Sequence, residues 1–327
     1  MFAAYAAQID SENPLSALEL GQRPEPQAPD GWSTVAVRAA SVNHHDVWSL
    51  RGVGLDVGRL PMILGCDAAG IDEQGNEVIV HSVIASPDVP DETLDPHRSL
   101  LSERYQGTFA EYVTVPRRNL VPKPLDLTWA QAACLPTAWL TAFRMLTTRS
   151  NLQPGDTVLV QGAGGGVATA AISIARAIGM RVWATSRDEQ RRQRALDVGA
   201  HEAFGSGARL PERVDAVIES VGRATWAHSL RALRPGGQII VTGATSGANP
   251  PADLQRVFFK QLSVIGSTMG TRQELERLVQ LCANTGLRPL IDRELPLQDA
   301  PAAIAAVAAG EVFGKIVLRV GEDTAVS

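Results

Sequence analysis

The chain of 327 residues carries 45% apolar and 20% charged side chains and a formal net charge of −5. Its length exceeds one ordinary hydrophobic core, so two domains are expected, and its average composition excludes disordered, collagen-like and membrane-embedded classes. Arginines are scattered without the basic stripe that a phosphate backbone requires, which leaves small molecules rather than nucleic acid as the expected partners.

The opening MFAAYAAQID places no cation before its apolar run and does not read as a signal peptide. No stretch reaches the roughly 18 apolar residues of a membrane span. Three isolated thiols, Cys66, Cys134 and Cys282, suit a reducing compartment rather than a disulfide framework, so a cytoplasmic location is expected. From Trp32 to Gly70 short strand-like runs such as STVAVRAASVN and LPMILGCDAAG are broken by glycine and proline, and EVIVHSVIA and TFAEYVTV continue them. This is the texture of an antiparallel β domain. Residues Pro87 to Gly107 are polar and proline-bearing without periodicity, and read as a surface loop.

Thr128 and Gln131, in capping-box spacing, start a long helix through AQAACLPTAWLTAFRML, which Pro136 is expected to kink. Beyond Pro154 and Gly155 the pattern alternates: TVLVQG, AISIARAIG, RVWATS, EQRRQRALDVG, AVIESVG, SLRALRP and GGQIIVTGA, with QLSVIGS as a last strand. Apolar strands alternating with helices predict a doubly wound parallel sheet. A helix RQELERLVQLCANTG, the run IDRELPL, an alanine-rich helix APAAIAAVAAG and a strand KIVLRV follow, and are assigned to the first domain.

The central signal is QGAGGGVA, placed directly after the strand TVLV and opening a helix. Gly162, Ala163, Gly164, Gly165, Gly166 and Val167 let the backbone turn tightly and offer free amides at a helix N-terminus to a pyrophosphate; the plain alternative is a tight turn. About 20 residues on, where NAD-specific folds present an acid to the ribose, the next strand ends in Ser186 and Arg187. Ser186 can donate a hydrogen bond, and Arg187 and Arg191 can pair with a phosphate dianion, each interaction contributing about 1.5–3 kcal/mol. NADPH is therefore the expected cofactor, against the alternative of a solvated arginine face such as Arg192 and Arg194 present.

SVNHHDVW, LPMILGCDAAG, GTFAEYV, PTAWLTAF, QGAGGGVA, ESVG, LRPGGQIIVTGATSG and FGKIVLR run in this order through nearly the whole chain. With these motifs the sequence resembles the medium-chain dehydrogenase/reductase superfamily, and within it the NADPH:quinone oxidoreductase (zeta-crystallin-like) group. The resemblance implies an α/β architecture: a GroES-like β-rich catalytic domain over residues 1–122, completed by 268–327, and a doubly wound Rossmann NADP-binding domain over 123–267.

Zinc-dependent relatives hold their catalytic metal at the places where Asn43, Cys66 and Thr137 stand here, and an amide and a hydroxyl are poor substitutes for such ligands. No cysteine lies in the Pro87 to Gly107 stretch to build a structural zinc lobe. No metal is expected, and an unfamiliar grouping of His44, His45, Cys66 and Asp67 is disfavoured because adjacent strand residues point to opposite faces. The resemblance implies that Asn43 reaches the nicotinamide ribose or the substrate oxygen, that His45, or less favourably His44, donates a proton, and that Trp48 borders the substrate. It also implies cofactor contacts at Thr137, Ser220, Val221, Gly243, Ala244, Thr245 and Lys315. Phe204, Gly205 and Ser206 depart from an Asn-Tyr pair of relatives, which alters one adenosine-side contact. The expected activity is NADPH-dependent hydride transfer to a quinone or α,β-unsaturated carbonyl compound without zinc, in a homodimer joined through QLSVIGS. The alternatives are a zinc-type alcohol or aldehyde dehydrogenase and an NADPH-binding protein with little turnover.

Overall fold

A computed structural model describes residues 1–321 of the chain. The chain divides into two compact units, one formed by Met1–Thr137, Gly270–Ala283 and the residues from Ile291 onward, the other by Ala138–Met269 with Asn284–Leu290. The division falls at 137/138, beyond the expected 122/123, because the first helix after residue 122 packs on strands of the first unit.

The first unit begins with β1 (Phe2–Ala6) and β2 (Leu18–Gln22), followed by the long β3 (Trp32–Ser41), α1 (His44–Leu50), β4 (Met62–Ile63), β5 (Asp67–Asp72) and β6 (Glu77–Val80). Next come β7 (Val83–Ile84), β8 (Ser99–Leu100), β9 (Tyr112–Pro116), β10 (Leu120–Pro122) and α2 (Trp129–Ala133). Thr128 and Gln131 cap α2 reciprocally. Pro136 falls in a π-helical turn, Leu135–Trp139, ahead of α3 (Leu140–Thr147); proline removes a backbone donor, and the ladder widens there.

The second unit holds β11 (Thr157–Val160), α4 (Gly166–Ala177), β12 (Arg181–Ser186), α5 (Glu189–Val198), β13 (Glu202–Gly205), β14 (Val214–Glu219), α6 (Arg223–Ala232), β15 (Leu233–Val241), α7 (Leu254–Phe259) and β16 (Ser263–Gly266). All its strands pair in parallel in the order β13-β12-β11-β14-β15-β16. β11 is buried throughout and β12 and β14 nearly so, as strands covered on both faces must be. β13 was not expected: HEAFGSG lacks a long apolar run, and the short strand exists through its pairing with β12. The chain then supplies α8 (Arg272–Thr285), β17 (Ile291–Pro296), α9 (Ala300–Ala309) and β18 (Lys315–Arg319), which complete the first unit's sheet β10-β6-β5-β3-β18-β17, with β9 on β3. Val35, Leu50, Phe109, Ile304 and Leu318 lie in the core of the first unit; Leu159, Trp183, Val217, Leu230 and Ile239 form that of the second.

Gly70 sits in β5 where it faces β3, and a Cβ there would fall on the Ala36 carbonyl oxygen. Gly70→Ala is expected to lower stability by about 1–3 kcal/mol through overpacking. Gly205→Ala, where a Cβ would meet nothing within 4 Å, should change it by less than about 0.5 kcal/mol. Urea unfolding of the two variants checks the contrast.

Candidate functional site

The candidate residues fall into two groups, one in each unit. In the second unit they gather at the carboxyl ends of four neighbouring strands. Gly162–Val167 follow β11, Ser186 ends β12, Ser220 and Val221 follow β14, and Gly243–Thr245 follow β15. Gly162 has φ +73 and Gly164 φ +142, a region that side-chain-bearing residues rarely enter. A Cβ on Gly162 would lie 2.6 Å from Val221 Cγ2, whereas one on Gly165 would meet nothing within 4 Å. The space over the N-cap is therefore open. Gly165 caps α4 without a side chain to accept its first-turn amides, which have no intrahelical acceptor. Amides and helix dipole together make this turn suited to an anionic group.

A buried web fixes the turn. The Ala163 amide donates to Thr185 O at 2.7 Å and the Gly162 amide to Thr185 Oγ1 at 3.3 Å. Thr185 Oγ1 donates to Gln161 Oε1 at 2.6 Å, and Gln161 Nε2 donates to His228 Nδ1 and Ser229 Oγ, each at 2.9 Å. Ser229 Oγ in turn donates to Glu219 at 2.6 Å. Glu219, 0% exposed, also accepts from the amides of Val221 (2.8 Å) and Gly222 (3.0 Å) and from Thr225 Oγ1 (2.9 Å). Sequence reasoning missed this web, because a polar residue inside an apolar strand pattern shows no partner.

After β12, Ser186 is buried and Arg187 exposed. Asp188, the acid nearest this corner, is committed as the N-cap of α5, where it accepts the Arg191 amide at 2.8 Å. The Arg192 guanidinium donates to the carbonyls of Ser186 (3.1 Å) and Arg187 (3.3 Å).

The first-unit group centres on α1. Asn43 is its N-cap, and the Asp46 carboxylate accepts the Asn43 amide at 2.8 Å. Residues 44–46 thus begin a helix and do not alternate between the faces of a strand, contrary to the expectation from the sequence. The Asn43 side chain donates to Asp67 Oδ2 (2.7 Å) and Ser41 O (3.3 Å) and accepts from Lys315 Nζ (2.6 Å). Lys315 also donates to Val42 O (2.8 Å) and pairs with Asp67 (3.3 Å). An ammonium has three donors, so those of Lys315 are all used inside the unit. Asp67 Oδ1 and the Thr137 hydroxyl are buried without a hydrogen-bond partner among the described residues.

Both nitrogens of His45 are engaged. Nε2 pairs with Glu103 at 3.1 Å, and Nδ1 lies 3.2 Å from Cys66 Sγ and 3.4 Å from the hydroxyls of Ser102 and Ser49. Burial opposes its charge, but Cys66, Glu103 and Asp46 outweigh burial and lift its pKa well above 6.5. Burial also raises the Cys66 thiol above its ordinary 9. That thiol therefore stays neutral near pH 7, and we regard Glu103 as the effective charge on the ring. Burial pushes the Asp46 carboxyl up to about 6. Potential ligand atoms of His45, Asp46 and Cys66 lie within 4.8 Å of one another, while the Asp46 oxygens already accept the amides of Asn43 (2.8 Å) and Gly65 (3.2 Å). His44 is half-buried and makes no hydrogen bond among the described residues; its ring lies against Trp48, centroids 5.7 Å apart. Burial, then Arg51, lowers its pKa. Trp48 also lies under the Arg51 guanidinium at 5.2 Å. Glu103 and Ser102 come from the stretch expected to be a surface loop, and no motif marks them.

Residues 29–125 match the alcohol dehydrogenase GroES-like domain and residues 166–284 the zinc-binding dehydrogenase family. A solved NAD-dependent alcohol dehydrogenase superposes with a TM-score of 0.91 at 32% identity, covering 98% of this chain and 100% of that one. The quinone oxidoreductase of Mus musculus is 28% identical over 288 residues, 82% of this chain and 83% of the relative. Crotonyl-CoA carboxylase/reductase of Cereibacter sphaeroides is 27% identical over 326 residues, 82% of this chain and 75% of the relative.

Removing one partner of a buried ion pair strands the other. Lys315→Met is therefore expected to cost about 3–5 kcal/mol, and Lys315→Met with Asp67→Asn less than the sum of the single changes, both read by urea unfolding. Because the folded pKa of His45 lies above 6.5, its protonation stabilises the fold fully below pH 6.5, and that contribution disappears as pH rises through the folded value. Glu103→Gln should bring the His45 pKa down in a ring-proton NMR titration; an unmoved pKa assigns the shift to the other neighbours.

Proposed function

Because the chain belongs to the medium-chain dehydrogenase/reductase superfamily, we propose that it is an NADPH-dependent reductase delivering hydride to a quinone or an α,β-unsaturated carbonyl compound without zinc. The observation that carries this reading is the placement of the Lys315 ammonium 2.6 Å from Asn43 Oδ1. A catalytic zinc needs about three nitrogen, sulfur or carboxylate donors. Of the three places where zinc relatives hold it, one is an amide oxygen already bonded to a cation, one a hydroxyl and only Cys66 a good ligand. These residues do not fit the metal. An acceptor reduced here must then be electron-poor beforehand, as enones and quinones are.

The second unit's residues fit a nicotinamide dinucleotide. The first-turn amides at Gly165–Val167 bind its pyrophosphate, Ser186, Arg187 and Arg191 take the 2′-phosphate, and Ser220, Val221 and Gly243–Thr245 border it. NADPH held there supplies the hydride. In the first unit we assign Lys315 to holding Asn43 and Asp67 in place rather than to a phosphate. His45 holds a proton at Nε2 against Glu103, and Trp48, with the His44 ring tilted against it, offers an aromatic face to a conjugated substrate. Thr137 supplies a hydroxyl without a partner among the described residues.

The resemblance to an NAD-dependent alcohol dehydrogenase favours a second reading, alcohol or aldehyde oxidoreduction with zinc. Elemental analysis separates the two, one zinc per chain rejecting the metal-free reading. A homodimer is part of the proposal. β16 is the outer strand of its sheet, and the preceding segment exposes Leu254 (70%), Phe258 (62%) and Phe259 (71%); an unpaired edge beside exposed apolar side chains favours association. Light scattering reporting only monomer would remove it.

Arg187→Ala with Arg191→Ala should weaken NADPH binding by roughly tenfold or more for each guanidinium removed and leave NADH nearly unchanged; equal losses for both nucleotides reject the phosphate assignment. Purified protein should consume NADPH steadily with a quinone or an enone. Binding without consumption across quinones, enones and aldehydes would point to a nucleotide-binding protein with little turnover.

A further inference from the structure

The loop between β13 and β14 and the later turns of α6 form an open cavity of about 510 Å³, lined by Arg209, Arg213 and Arg231 beside Leu210, Pro211 and Ala232. None of these guanidinium groups has a hydrogen bond or ion pair among the described residues. The acid on the same rim, Glu212, is taken up by Arg181, and nearby Asp215 pairs with Arg234 at 2.5 Å. Unneutralised positive charge thus collects here in a chain whose net charge is −5. Lys260 feels that field, its pKa lowered by burial and then by Arg213, and Arg231 adds to the effect of burial in lowering His228.

Clustered guanidiniums repel one another until a multivalent anion joins them, and their planar forks match phosphate oxygens. The volume lies within the range of small-molecule sites, roughly 300–1,000 Å³, and leaves room beyond a phosphate for an organic portion against the apolar lining. The wall of this cavity is also the outer end of the web that holds the glycine turn. His228 Nδ1 accepts from Gln161, so its Nε2 donates to Ala208 O at 2.9 Å. Ala208 and His228 both line the cavity, and Gln161 continues through Thr185 to the Gly162 amide.

We propose that this cavity is a binding site for a phosphate-bearing small molecule, and that its occupancy is coupled to the glycine turn through His228 and Gln161. By reciprocity, a ligand in the cavity changes nucleotide affinity by the factor with which the nucleotide changes its own.

Inorganic pyrophosphate is the probe, titrated calorimetrically into wild-type protein and an Arg209→Ala/Arg231→Ala variant, each with and without saturating NADPH. Both arginines are exposed, so the variant should fold normally. Pyrophosphate should bind the NADPH-loaded wild type, bind the NADPH-loaded variant about tenfold more weakly or worse, and, beyond the competition at the glycine turn that both proteins share, shift the NADPH Kd in the wild type alone. No binding overturns the site. Binding that NADPH abolishes and the variant retains places the anion on the glycine turn and also overturns it. Binding in the cavity with an unmoved NADPH Kd overturns the coupling. The coupling rests on the nucleotide reading; if NADPH itself does not bind, that reading fails and the coupling with it, while the variant still decides the cavity.

Discussion

A carboxylate with no exposed surface organises the second unit. Isolating such a group from water costs several kcal/mol, and Glu219 offsets this with four donor groups: two amides, Thr225 and Ser229. Those donors belong to the end of β14, the start of α6 and, through Ser229, the Gln161 side chain beside the glycine turn. Meeting the needs of one buried carboxylate therefore fixes the ends of β14 and β11 and the start of α6 relative to one another. The backbone amides at Gly165–Val167 are set in place before any ligand arrives, the condition under which oriented dipoles bind an anion without reorganisation.

The first unit solves a related problem differently. Asp67 is also fully buried, but its partner is a cation brought from far along the chain, with an amide and a hydroxyl completing the shell. Ser41, Asn43, Asp67 and Lys315 thus join β3, the N-cap of α1, β5 and β18. The cluster is satisfied except for one oxygen of Asp67. An orphaned lone pair beside a bound ammonium marks the place where the unit is least self-sufficient, since such an atom costs about 1–3 kcal/mol unless something supplies a donor.

What the sequence made legible was local. Alternation of apolar runs with helical periods disclosed the parallel sheet, the Thr128 and Gln131 spacing disclosed a cap, and the glycines after TVLV disclosed the turn, because each is a short-range rule of backbone geometry. Interactions between distant residues were not legible. Glu103 meets His45 across 58 positions from a stretch whose composition signals only a loop. Lys315, which opens the final strand and was expected to meet the cofactor, lies 2% exposed with its ammonium turned to Val42, Asn43 and Asp67. The histidines of SVNHHDVW read as strand residues facing opposite ways; Asp46 reaching back to the Asn43 amide makes them a helix start, and that changes which side chains share a face. His44, placed second to His45 as a proton donor, makes no hydrogen bond among the described residues, whereas both ring nitrogens of His45 are engaged.

These differences bear on chemistry more than on fold. Relatives with this architecture carry names as different as alcohol dehydrogenase, quinone oxidoreductase and crotonyl-CoA carboxylase/reductase, so the scaffold itself does not choose the reaction. The choice lies in what polarises the acceptor. A dication near Asn43 would have to displace an ammonium already bonded to an amide, a carbonyl and a carboxylate, and Coulomb repulsion between the two cations in a buried site opposes that exchange. A fixed ammonium stabilises its surroundings but has no spare N–H to offer an oxyanion. On the metal-free reading we propose, the acceptor brings its own electrophilicity, and conjugation to a carbonyl is the simplest way for a small molecule to do so.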